Sequence, residues 1–135
     1  MVKSVLKWLR FSNFRSRVLT AYGHRCAFCG QFDSVQAIHI LPDNHPSSSD
    51  ETHNGIAACF LHHAAYDRGL ITFGEAYSVI VSEEKMKRFA KMRRDGGANQ
   101  FRSALRPLIL LPPSKADRPH VDLVRLANQI RGWSM

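Results

Sequence analysis

The sequence predicts an α+β fold, and three observations carry that expectation. Two short stretches rich in β-branched residues, "VQAIHIL" and "YSVIVS", have the length and composition of small strands. Helical periodicities occupy both ends of the chain. Between them lie two pairs of metal-ligand residues of equal spacing, Cys26-x-x-Cys29 and Cys59-x-x-His62.

Taken in order, Val2, Val5, Leu6 and Leu9 follow helical spacing, and Lys3, Lys7 and Arg10 line another face. A second helix is expected from Ser12 to Tyr22, with Phe14, Val18 and Ala21 on one side and Gly23 closing it. "CAFCG" is a tight knuckle. On the strand "VQAIHIL", alternation places His39 with Val35, Ala37 and Leu41 and turns Gln36, Ile38 and Ile40 the other way. "PDNHPSSSDETHNG" must be loop. "IAACFLHHAAYDRG" enters a second strand or turn and then a helix ending at Gly69. "LITF" and "YSVIVS" are expected as strands about a turn at Gly74-Glu75.

Ser82 caps a helix, "EEKMKRFAKMRRDGG", with acids in its first turn, bases in its last and Gly96 as its stop. "PLILL" reads as a short strand. Pro119 opens a final helix whose buried stripe is Leu123, Leu126, Ala127 and Ile130. The 135 residues suit one domain, 1–135: a basic helical segment (1–25), a core (26–82) and a basic helical extension (83–135).

Charge follows the same division. Residues 1–25 hold six Lys/Arg and no acid, residues 26–82 one Arg against six acids, and residues 83–135 twelve basic against five acidic side chains. Basic flanks suit a polyanion, and nucleic acid is the natural one. The centre holds five of the seven histidines and suits cations. No apolar run approaches the ~20 residues a bilayer requires, and "LILL" at Leu108–Leu111 stops at Pro112-Pro113, so no membrane partner is expected. The N-terminal stretch is acid-poor, as transit peptides are, but it runs directly into the cysteine pair and reads as structural. Three cysteines cannot all pair within one chain. A reducing, cytoplasmic setting and metal binding fit better than a disulfide framework.

Zn²⁺ takes four N/S donors in a tetrahedron. Cys26, Cys29, Cys59 and His62 supply them and use every cysteine of the chain. Small buried thiols are the plainer alternative, and two matched pairs argue against it. His62 and His63 are neighbours, so on a helix their side chains diverge by about 100°. With His62 on zinc, His63 faces another space, where Asp67, one turn on, can hydrogen-bond its ring.

"AIHILP", "NG" and "HAAYDRGL" together resemble the HNH endonucleases, in the restriction-type subgroup written A-x-H-I-x-P, N-G, H-x-x-[FY]-D-R-G-L. "FRSRVLTAYGHRCAFCG" and "RPHVDLVRLANQIRGW" extend the likeness over nearly the whole chain. The resemblance implies a ββα-metal core beside the Cys3His zinc site, flanked by N- and C-terminal helices. It implies metal-dependent hydrolysis of DNA phosphodiesters, with restriction-type relatives that in some cases act on modified DNA. It implies that His39 is the general base, that Asn54 holds the loop orienting it, and that His63 binds a catalytic Mg²⁺, Mn²⁺ or Ni²⁺, with Asp67 behind it. Many HNH enzymes carry an Asp just before the base, also on the metal; this chain has Ile38. That departure keeps a second reading open, a zinc-stabilised nucleic-acid-binding module without catalysis.

Two basic stripes are candidate rails for a phosphate backbone: Lys3, Lys7 and Arg10, and Lys87, Lys91 and Arg94. Solvated helix faces are the alternative for either. Trp8 and Trp133 offer either base stacking or packing. His45 and His53 read as loop residues, and Arg68 as a phosphate contact or a surface cation. No separate reader of sequence is visible, so low specificity, a homodimer or a recognition partner would define the target.

Overall fold

The computed structural model describes residues 2–135, with side chains from Ser4 onward. Met1 and the side chain of Lys3 lie outside the described residues.

Helix α1 spans Val2–Ala21 as one element. The expected break at Ser12 does not occur. Neither proline nor glycine interrupts 2–21, and Phe14 and Val18, one turn apart, are fully buried and carry the same face forward. Gly23 and His24 then take left-handed conformations and end it. From Ser4 to Phe11 the helix stands clear of the core, and Val5, Leu6, Trp8, Leu9 and Phe11 are exposed.

Strands β1 (Val35–His39) and β2 (Gly55–Cys59) form an antiparallel pair, with Val35 opposite Cys59 at one end and His39 opposite Gly55 at the other. Helix α2 (Phe60–Asp67) follows β2 directly, giving a hairpin and helix in sequence. Gly69, at φ +70°, turns the chain out of α2. Helix α1 packs against the hairpin at Gly55. A Cβ there would lie 2.3 Å from Val18 Cγ2 and 2.9 Å from Phe14 Cζ, so only glycine admits this approach.

The 26–30 knuckle docks on the hairpin through Ala27 N–H to Ala57 O at 2.8 Å. A second antiparallel pair, β3 (Ile71–Phe73) and β4 (Val79–Val81), closes the other side. "PLILL" does not become a strand: it makes one antiparallel bridge, Leu108 to Ser78, through bonds to Tyr77 and Val79, and Leu110 N–H then turns to Ala27 O of the knuckle.

Helix α3 (Glu83–Lys91) is capped by Ser82, whose hydroxyl accepts from Lys85 N–H. It stops at Lys91, short of Gly96, as Arg93 takes a positive φ. Arg94 therefore leaves the stripe of Lys87 and Lys91. A short helix α4 (Ala98–Ala104), absent from the sequence expectation, follows.

Helix α5 (Val121–Ile130) buries Val124, Ala127 and Asn128. Leu123 and Leu126 are half-buried and Ile130 is exposed. Asn128 displaces Ile130 from the expected stripe because its amide is pinned to β3, contacting Thr72 Oγ1 and donating to Phe73 O.

Candidate functional site

At the Val35–Cys59 end of the hairpin, the knuckle and the start of α2 bring Cys26, Cys29, Cys59 and His62 together. Their ligand atoms all lie within 4.8 Å of one another. Cys26 and Cys59 are buried, and His62 is sealed between Phe28 and Phe101. His62 Nδ1 faces the sulfurs, 3.5 Å from Cys26 Sγ and 3.2 Å from Cys59 Sγ. A zinc tetrahedron needs N···S edges of about 3.6 Å, so the ring is at ligand distance. Its Nε2 is buried with no hydrogen-bond partner among the described residues, which leaves Nδ1 as the working nitrogen. Burial pushes the three thiols up and the His62 imidazole down. Neutral His62 is the form a metal needs, and a bound cation would supply the charge that turns these thiols into thiolates. This Cys3His group could hold zinc.

His39 ends β1 at the opposite end of the hairpin. Its ring stacks on Phe14 of α1, centroids 4.1 Å apart and 2° from parallel, and its Nε2 lies 3.0 Å from Asp50 Oδ1. Asp43 joins them: donor atoms of His39, Asp43 and Asp50 are all within 4.8 Å of one another. They line a hollow of about 370 Å³ whose other wall is α1, with Ser4, Lys7, Trp8, Arg10 and Phe11. Trp8 is 64% exposed, so its ring is not a core element.

Asn54 closes a 3-10 turn (Thr52–Asn54) before β2 and is fully buried. Its Oδ1 accepts from Leu41 N–H at 2.9 Å, and its Nδ2 donates to Ser49 O at 2.8 Å and Ser48 Oγ at 3.2 Å. One amide thus ties both ends of the 41–49 loop. Arg17 of α1 holds the next residue, donating to Asp50 O.

His63 is one residue from the sulfur group and points elsewhere. Its Nδ1 lies 2.5 Å from Gln36 Oε1, and its Nε2 lies 3.1 Å from Asp67 Oδ2. It lines a hollow with Phe11, Arg15, Asp33 and Gln36 that adjoins the His39 hollow at Phe11. Gln36 and His39, three apart on β1, reach α2 and α1 respectively, as strand alternation requires. Ile38 is buried and brings no donor.

Lys7 and Arg10 stand over the His39 hollow, whereas Arg94 lines a separate one with Leu70, Met86 and Phe89. Lys87 and Lys91 are exposed on α3. His45 Nδ1 accepts from Ser47 N–H, and the His53 ring sits 5.6 Å from that of His120. Arg68 is the residue after α2, its carbonyl accepting from Lys85 Nζ. Sequence reasoning passed over Asp43 and Asp50. The one local signal was an acid-bearing loop directly after His39.

Residues 26–74 match the family model described as HNH endonuclease. No curated protein matches the chain. Among solved structures, the modification-dependent TagI restriction endonuclease has a similar fold, with a TM-score of 0.57 and 16% sequence identity. The likeness covers 87% of this chain and 37% of that one. No helix among the described residues is long and apolar enough to cross a membrane. The matched segment, 26–74, runs from the first cysteine past β3 and contains the β1–β2 hairpin and the helix that follows it, so this part of the chain is similar to the HNH endonucleases.

Proposed function

We propose that this protein is a divalent-metal-dependent endonuclease that hydrolyses DNA phosphodiester bonds, with His39 at the reacting centre and zinc in the Cys3His group. The observation that carries this reading is the His39 hollow itself. An imidazole and two carboxylates lie beneath two cationic side chains of α1, on an HNH hairpin and helix. Phosphodiester hydrolysis needs a polarised water, a cation near the leaving oxygen and positive charge to hold the backbone. Lys7 and Arg10 supply the last, and Trp8 offers an exposed ring for a base to stack on. Asn54 fixes the loop between His39 and Asp50. His63, braced by Gln36 and Asp67, lines the adjoining hollow along which the strand would continue.

The TagI likeness supports a restriction-type role. The chain spans about a third of that protein's length, 37%, so the target that it recognises is not carried over from it.

The test is nicking of supercoiled plasmid with Mg²⁺, Mn²⁺ or Ni²⁺ by wild type and His39→Ala. Cleavage lost in the variant, with DNA binding and zinc content retained, is expected. Absence of cleavage by the wild type with every ion would replace the enzyme with a zinc-stabilised DNA-binding module, and cleavage of RNA alone would change the substrate.

A further inference from the structure

We propose that Asp43, Asp50 and His39 form the divalent-cation site of this protein, making good the carboxylate that position 38 lacks. The inference rests on the nuclease reading and alters one expectation: the cation sits on the His39 side of the hairpin, and His39 serves it as a ligand.

Ile38 has no donor atom, and His63 has one carboxylate against its ring, Asp67, where His39 has two converging on it. The His39 side is differently placed. Its three donor atoms converge within 4.8 Å, and the closest pair, His39 Nε2 and Asp50 Oδ1, stand 3.0 Å apart. Adjacent ligands on an octahedral ion with bonds of about 2.1 Å are about 3.0 Å apart, so this pair already has the needed edge.

Two of the three donors are also held before any ion arrives. His39 is fixed face to face on Phe14. Asp50 is fixed through its own carbonyl, which accepts from Arg17, and through its neighbour Ser49, whose carbonyl accepts from Asn54. Asp43 is exposed on the same loop, two residues after Leu41, whose N–H is bonded to Asn54. All three donors come from one side, and the hollow leaves the remaining positions for waters and phosphate oxygens. Two carboxylates and one imidazole select Mg²⁺ or Mn²⁺, whereas the three thiols 14 Å or so down the strand select zinc. Lys7 and Arg10 at the rim are placed to take the phosphate charge that a bound cation leaves unbalanced.

The test is titration of the zinc-loaded full chain with Mn²⁺, following free Mn²⁺ by electron paramagnetic resonance. One Mn²⁺ per chain is expected. Its affinity should fall about tenfold or more in each of Asp43→Asn, Asp50→Asn and His39→Ala, and hold in His63→Ala, with zinc content unchanged throughout and melting temperature unchanged in the two Asn variants. Wild-type affinity in Asp43→Asn and Asp50→Asn, loss in His63→Ala alone, or no Mn²⁺ bound by wild type at millimolar concentration would each overturn the proposal. Its failure is separable from that of the nuclease reading. A chain that binds Mn²⁺ through these residues but never nicks DNA keeps the site and loses the enzyme. A chain that nicks DNA while the Asn variants bind normally keeps the enzyme and loses the site.

Discussion

Cys26, Cys29, Cys59 and His62 sit at one end of the β1–β2 hairpin; His39, Asp43 and Asp50 sit at the other. The first group is built from a knuckle and a helix start, with Cys26, Cys59 and His62 buried and Cys29 half-buried. The second opens on a hollow and draws its carboxylates from a loop. Donor softness and burial differ in the same sense. On the proposed reading, the thiols would hold an ion that shapes the chain, and the oxygens and one imidazole would leave room for a substrate.

The largest effect should come from the closed end. Stripping zinc with a chelator, or Cys59→Ala, removes a contribution of about 10–16 kcal/mol seen for structural zinc in small peptides. Loss of cooperative melting by circular dichroism is expected. A chelated protein that melts as before would show that the sulfurs are ordinary core residues. At the open end the effect should fall on rate rather than fold. His39→Ala should reduce cleavage by about 10²-fold or more, since a catalytic ion contributes several kcal/mol, and should leave zinc content unchanged. Equal loss of zinc would erase the distinction between the two ends.

Asn54 tests how the open end is held. Asn54→Ala strips the buried Leu41 N–H of its acceptor and frees Ser49 and Asp50, and should cost about 1–3 kcal/mol in urea unfolding while lowering cleavage further. An Ala variant as stable as wild type would mean that the loop is held by other contacts. The smallest effect belongs to the rim. Lys7→Ala and Arg10→Ala should each reduce the salt slope of DNA binding by about 1, with no change in zinc or melting. The same substitutions at Lys87 and Lys91 measure whether α3 touches DNA at all.

Local signals made much of this molecule legible. Alternation found β1, the Ser82 cap and its flanking acids found α3, and Gly69 marked the end of α2. The divergence of His62 and His63 followed from helix geometry alone. What local pattern could not show was set by contacts distant in sequence. Helix α1 runs through Ser12 because Phe14 and Val18 pack on the hairpin, and the pairing at Leu108 stops after one bridge because Leu110 N–H goes to the knuckle at Ala27. Asn128 is buried in α5 because β3 offers it partners. Asp50 meets His39 across eleven positions of chain, brought together by the Asn54 amide and by Arg17 of α1.

The bare Gly55 lets α1 rest directly on the hairpin at Phe14 and Val18, and it makes that contact a fulcrum. Lys7 lies seven residues beyond Phe14, about 10 Å along the helix. A side chain at position 55 that tilted α1 by roughly 10° would swing Lys7 by about 2 Å, and displacements near 1 Å can already cost ~10²-fold in rate. The spacing between the cationic arm and the loop beneath it is therefore governed from a residue that touches neither.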